Sequence, residues 1–415
     1  MSRTDAGHVA SFIRMPGDGD QYEEKTMKTD LLKDSDPSSV GLDASRLELV
    51  QDLLEEHIRE RKYEGCQIAV ARHGSLVLNK TYGICPDISK RGAPQDYTLF
   101  CIRSMTKTFT AAVIWSLVEE GRLTFFDRVV DHIPEFGALG DGKDAVTIFQ
   151  LLTHQAGFPH ADVTKEAWAD HRRLRKEVCL FPLEWTPGSK VFYHSYNAQW
   201  VLAAIIESVT GADFRDVVRE RIVKPLRIGR DFYMGAPDSE HERIAREHSP
   251  VGRNGGGIAF HAAENTPEWY HAGHPHGGGI ATARGVVTFF QLLALGGAVC
   301  GQRVFSSRLI EYVARNHTGD RLDERLHQEQ DPGEPLTVAN FGLGIKVRGE
   351  APGMHVCGSL AGPRTVFHGG GVNSIAWSDP DKGVSFAYVS NAYVPRSWMA
   401  REMERMSNIV HSAVL

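Results

Sequence analysis

Leu99-Phe100-Cys101-Ile102-Arg103-Ser104-Met105-Thr106-Lys107-Thr108-Phe109 joins a strand pattern to a helix pattern at a serine. The apolar run from Leu99 to Arg103 stops at Ser104. From there the spacing turns helical, with Phe109, Ala112, Val113 and Leu117 on one face, and Glu119-Glu120-Gly121 closes the helix with a C′ glycine. Ser104 is thereby set at a helix N-terminus, where free N–H groups and the helix dipole favour negative charge. Lys107 follows about one turn later on the same face, so its ammonium can return to the Ser104 hydroxyl. Serine is a weak nucleophile that needs an adjacent base. A lysine desolvated beside an apolar helix can be that base or tune one, because burial disfavours its charged form. Ser-x-x-Lys alone is a weak signal, which an N-cap serine and a solvated lysine also satisfy. Its company decides the reading.

That company lies far along the chain. Pro187-Gly188 begins a turn, Val191-Phe192-Tyr193-His194-Ser195-Tyr196-Asn197 follows, and a helix is expected from about Gln199 to Val209, ending at Thr210-Gly211. A tyrosine at such a corner can turn its phenol into a cleft, and beside an ammonium it could act as a general base. His368-Gly369-Gly370-Gly371 closes a later strand. Glycines there let backbone approach a substrate, and the Gly371 N–H could join that of Ser104 as an oxyanion hole.

Residues 1–40 are polar and unpatterned and read as an extension outside the fold. Leu47, Val50, Leu53, Leu54 and Ile58 then repeat at helical spacing. Cys66–Ala71 and Leu76–Tyr82 read as strands joined by the hairpin signal Arg72-His73-Gly74-Ser75. At the other end, Arg364–Phe367, Val372–Trp377 and Val384–Val389 read as strands, and Ser397–Val414 as a closing helix. The expected fold is α/β (α+β): an antiparallel sheet built from both ends, 41–107 and 270–415, and flanked by helices, with a mostly helical domain, 108–269, inserted.

Composition closes several alternatives. The chain has 415 residues, 42% of them hydrophobic and 24% charged, which fits a globular protein and excludes a largely disordered one. A net charge of −6 leaves no footprint for nucleic acid. No apolar run approaches the ~18 residues of a membrane span, and no secretory signal is expected at the start, so the expected compartment is the cytoplasm. The six cysteines are scattered, without a CxxC pair, and read as free, buried thiols.

Taken in order, these motifs resemble the serine β-lactamase and penicillin-binding-protein superfamily, in its class C-like branch, which includes the family VIII type of carboxylesterase. The resemblance runs from about Gly41 to Ala392 and rests on Ser104-Met105-Thr106-Lys107, Glu119–Leu123, Val146–Gly157, Pro187-Gly188 with Tyr193, Phe341-Gly342-Leu343-Gly344, and His368-Gly369-Gly370. It implies Ser104 as an acylated nucleophile, Lys107 as its partner and Tyr193 as the tyrosine of a Tyr-x-Asn element. It also implies Ser104 and Gly371 as oxyanion donors, a site between the two domains, and two-step acyl transfer with no metal or organic cofactor.

Two departures bear on the substrate. Ser195 stands where the element has asparagine, with Asn197 close enough to restore some hydrogen bonding. His368 stands where β-lactamases carry the lysine of Lys-Thr-Gly, and histidine is mostly neutral at pH 7. Both point toward uncharged acyl groups, so a small-molecule ester is the expected substrate. β-Lactams or D-amino-acid amides are the alternative, and a non-catalytic ligand-binding relative is a further one. The histidines His261, His271, His274 and His276 include a spacing that could hold zinc, but the Gly- and Pro-rich surroundings favour a loop lining the pocket, with His276 at the cleft edge and no metal.

Overall fold

Ala69, Ala71, Ala376 and Ala387 explain how the central sheet accepts a helix on one face. The computed structural model describes residues 30–83, 95–250, 258–260, 264–329, 338–371 and 373–415. Its main sheet has seven strands: β1 Lys33–Asp34, β2 Gly65–Arg72, β3 Ser75–Gly83, β4 Lys346–Val347, β5 Val366–Gly370, β6 Ser374–Asp379 and β7 Val384–Ser390. The order is β1-β3-β2-β7-β6-β5-β4, antiparallel except for the β1–β3 edge. The first and last parts of the chain meet at the β2–β7 pairing, as their patterns led us to expect.

Side chains alternate across this sheet. Ala376, Ala387 and Ala69 stand in one cross-strand row, and helix α4 (Ala283–Ala294) lies on that face with Phe289 and Phe290 in the same core. On the other face, Ile68, Val70, Trp377, Phe386 and Tyr388 meet α1 (Ala44–Arg59) and α5 (Arg396–Ser412). α1 starts at Asp43, whose carboxylate accepts from Ser45 N–H, and it buries Leu47, Val50, Leu53 and Leu54.

Helix α2 (Thr106–Glu119) departs from the one-faced pattern, because Thr106 through Trp115 are all buried. It runs through the interior, between the sheet core and α3 (Asn197–Thr210). The short strand Phe100–Cys101 leads into it and pairs with Gly279–Ala281, which pairs in turn with Phe232–Met234. The fold also takes in the end of the stretch read as an extension: Leu31 and Leu32 are buried, and Lys33–Asp34 forms the sheet edge. Residues 1–29, His261 and Val372 lie outside the described residues. Among the described cysteines all are free, and Cys300 is exposed rather than buried.

The alanine row yields a stability prediction. Ala387→Leu should cost about 1–3 kcal/mol in urea unfolding by forcing α4 off the sheet.

Candidate active site

Ser104 sits in a tight helical turn, Arg103–Met105, that leads directly into α2. Arg103, the residue before it, has φ +49°, a left-handed conformation uncommon for a side chain of this size. Its guanidinium is anchored accordingly. Nε donates to Glu247 Oε1 at 2.8 Å, a second nitrogen donates to the other Glu247 oxygen, and Nη1 reaches Glu264 at 3.3 Å. The rings of Trp269 and Tyr393 lie 5.6 and 5.0 Å from the guanidinium. Glu247 is buried and also accepts from Asn373 Nδ2 at 2.8 Å, just past the Gly371 turn.

Lys107 is 1% exposed, with Nζ 3.1 Å from Ser104 Oγ and donating to the His276 carbonyl at 2.9 Å. Burial, reinforced by Arg325, holds its amine well below the ordinary lysine range. The Tyr193 phenol lies beside the Ser104 hydroxyl, and its ring centroid lies 5.2 Å from Lys107 Nζ. Burial raises the Tyr193 pKa, against the opposing pull of Ser104 and Arg325, so the phenol keeps its proton at neutral pH. Ser104, Lys107 and Tyr193 thus lie together, with Ser104 and Tyr193 lining a cavity of about 640 Å³.

His368, Gly369 and Gly371 line the cavity from the end of β5 and the turn after it, while Gly370, expected to bind substrate, does not. A Cβ on Gly370 would lie 2.1 Å from the Ile102 carbonyl oxygen, so only glycine lets β5 pass this close to the segment that leads to Ser104. His368 is buried, its Nδ1 is 2.8 Å from the Gly369 carbonyl, and burial together with Lys107 pushes its pKa down to about 3. It is therefore neutral at physiological pH, as its residue type suggested.

Other expected residues are placed unevenly. Ser195 lines the cavity, but its hydroxyl is engaged by Arg325. Asn197 does not reach the cavity: its Nδ2 donates to the Ala161 carbonyl at 2.9 Å and its Oδ1 accepts from Ala198 N–H at the start of α3. The expectation that it binds substrate is corrected on that ground. The carboxamide is consumed in ordering the helix start. His276 lines the cavity and presents its carbonyl to Lys107, while its ring lies against Tyr196, Trp200 and His274. His274 packs among Trp168, Trp200 and Trp269, and burial pushes it down to about 3. Neither ring faces a common metal position with His271.

Two cations at the site were not singled out in the sequence. Lys346 Nζ lies 5.5 Å from the Tyr193 ring centroid and 5.1 Å from that of Phe341, while Arg325 is 5.6 Å from the Tyr193 ring. Both line the cavity, with Asp323 beside them. Lys346 ends the Phe341–Gly344 motif by two residues, and that motif is bound to α2. Trp115 Nε1 donates to the Leu343 carbonyl at 2.9 Å, and a Cβ on Gly344 would meet Ala111 Cβ at 2.2 Å. Arg325 had no such signal, since it lies on a short helix, Glu324–Glu329, in a stretch without motif or period.

With this geometry in place, the chain belongs to the Beta-lactamase family, which it matches over residues 50–406, and it is a serine hydrolase. It is 28% identical to the "Esterase/beta-lactamase LipL" of Mycobacterium tuberculosis over 69% of this chain and 68% of that one. Among solved structures it resembles a penicillin-binding-protein homologue from Caulobacter crescentus, with TM-score 0.72 and 27% identity over 90% of this chain and 99% of that one. A family VIII carboxylesterase gives TM-score 0.72 and 25% identity over 88% and 99%. The mixed sheet flanked by helices is the fold these neighbours share.

The Arg103–Glu247 pair should be needed for stability. Glu247→Ala leaves a partly buried guanidinium without its bidentate partner, with only Glu264 to offset it, and should cost about 2–3 kcal/mol in denaturant unfolding, with Glu247→Gln costing less.

Proposed function

We propose that the protein hydrolyses small carboxylic esters through an acyl-enzyme on Ser104. The observation that carries this is the Ser104 hydroxyl held between a buried amine and a protonated phenol at the wall of the cavity. Lys107, favoured in its neutral form by burial, accepts the Ser104 proton as Oγ attacks the ester carbonyl. The backbone amides of Ser104 and Gly371 take the charge that develops on the carbonyl oxygen. Tyr193 donates its proton to the departing alkoxide and recovers one from Lys107. Water then attacks the acyl-enzyme by the same relay in reverse, or a second alcohol or amine does so in transacylation. The cavity draws on Trp168 and Tyr193 from the 108–269 range and on Ser104, Lys346, His368 and Tyr393 from the flanking ranges, which supports a site in the seam between a sheet unit and a helical unit.

Trp168, Trp269, Tyr196 and Tyr393 give the cavity apolar area for an acyl chain or an aromatic alcohol. A second reading, hydrolysis of a β-lactam or a D-amino-acid amide, is favoured by Lys346 and Arg325. Neutral His368 leaves no cation on β5, yet positive charge beside Tyr193 is supplied from neighbouring elements. The inference from residue 368 to uncharged substrates is weakened accordingly, and ester hydrolysis rests on the nucleophile's surroundings and the apolar cavity.

The test compares p-nitrophenyl acetate and butyrate with nitrocefin and a D-alanyl peptide, following rates and intact mass. Ester turnover with an acyl adduct that disappears in Ser104→Ala is the expected result, and unchanged turnover by Ser104→Ala overturns it. Tyr193→Phe should lower kcat by about 10²–10⁴-fold, the usual contribution of a positioned proton donor.

The pH profile gives an independent check. Because burial lowers the Lys107 pKa, kcat/KM for a neutral ester should rise with pH along a limb well below 10.5. That limb should vanish in Lys107→Met and persist in His368→Gln, whose parent histidine is already neutral there.

A further inference from the structure

His271 belongs to a different cluster from the one its sequence neighbours suggested. It ends up beside Asp238 and His241, on two short helices, Asp238–His241 and Pro267–Ala272, at the outer surface behind the cavity. One ligand atom from each of the three residues lies within 4.8 Å of the others. His271 Nε2 is 3.0 Å from Asp238 Oδ1, and His241 Nδ1 is 3.6 Å from the same oxygen.

The state of His241 gives the cluster its direction. Its Nε2 is 3.0 Å from the Ala236 carbonyl. A carbonyl can only accept, so Nε2 carries a hydrogen, and Nδ1 is the ring atom left to a metal. Nδ1 faces the Asp238 carboxylate, so a nitrogen and an oxygen ligand stand side by side. An imidazole whose second nitrogen donates to a backbone carbonyl is also the arrangement that orients metal-binding histidines. The backbone is preorganised as well, since Ala236 N–H donates to the Tyr270 carbonyl at 2.9 Å, tying the segment before one helix to the other.

We propose that Asp238, His241 and His271 bind one zinc ion, with water as the fourth ligand. Tetrahedral zinc with bonds near 2.0–2.1 Å places its ligand atoms about 3.3 Å apart. The 3.0 and 3.6 Å separations bracket that value, so small side-chain shifts complete the site. Two imidazoles and one carboxylate suit zinc over magnesium, which prefers oxygen ligands. A second cluster, His171 with Glu207 and Asp213, does not share this geometry. There the two nitrogens of one ring each meet a different carboxylate, at 2.7 and 3.4 Å, and one ring cannot turn both nitrogens toward a single ion. The zinc acts as a clamp between the two helices. Trp269, two residues before His271, walls the cavity and lies over Arg103, so the clamp steadies the pocket beside the nucleophile without touching substrate.

The experiment is a zinc titration of the untagged, chelator-treated full chain by calorimetry, with thermal unfolding in parallel. One zinc should bind per chain with micromolar or tighter affinity and raise the unfolding temperature. His241→Ala and His271→Ala should each weaken binding by at least about tenfold, and Asp238→Asn by a similar factor. His171→Ala should leave it unchanged, and magnesium should give no saturable heat. Absence of binding at ~100 µM zinc overturns the proposal. So does affinity that survives both His241→Ala and His271→Ala, as it would on the exposed Cys300 thiol, or affinity lost in His171→Ala. The readout is independent of Ser104, so failure of the clamp and failure of the esterase reading are separable.

Discussion

The constraint on which the site depends is the exclusion of water from an amine one helical turn from a serine. Transferring an ammonium out of water costs several kcal/mol unless an anion accompanies it. Among the described residues no carboxylate pairs with Lys107; its polar neighbours are the Ser104 oxygen and the His276 carbonyl. Both can be served by a neutral amine, which donates to the carbonyl and offers its lone pair to the hydroxyl. Burial without a counterion therefore selects the form that can accept a proton. The burial itself is a product of the fold. α2 can be enclosed on all sides only because the sheet, α3, the 274–279 loop and the 341–344 segment close around it. Gly344 and Gly370 remove the side chains that would hold these layers apart from α2 and its leading strand.

Much of this was legible in the sequence because it is written in short-range periodicities. The β2–β3 hairpin, the strands of the distal end, the closing helix and the strand-to-helix change at Ser104 all follow from alternation, 3–4 spacing and turn residues. The glycines at 369–371 announced a close approach, and the contact with Ile102 is its physical form. The resemblance of ordered motifs then joined Ser104, Lys107, Tyr193 and His368 across more than 250 residues of chain.

What was not legible are the contacts whose partners are set by tertiary packing. Asn197 is one residue type with two uses, substrate contact or helix-start bond, and only the position of Ala161 distinguishes them. Arg325 has no periodic or motif context, and it becomes a site residue because its short helix covers Tyr193. His271 has the same spacing to His274 whether or not they share a face. In the fold the aromatic cluster around Trp168 and Trp200 draws His274 and His276 inward and leaves His271 outside with Asp238.

Charge at the cleft is divided, and the division has a mechanical side. On one flank Arg103 is neutralised by Glu247 and Glu264; on the other, Lys346 and Arg325 gather around Tyr193 with Asp323. The first flank fixes geometry. Arg103 in a left-handed conformation aims the Ser104 turn, and such a conformation persists where its surroundings over-determine it. Glu247 supplies that surrounding and also grips Asn373, two residues beyond Gly371. One buried carboxylate therefore sets the distance between the Ser104 turn and the turn of β5, the two backbone segments proposed to hold the oxyanion.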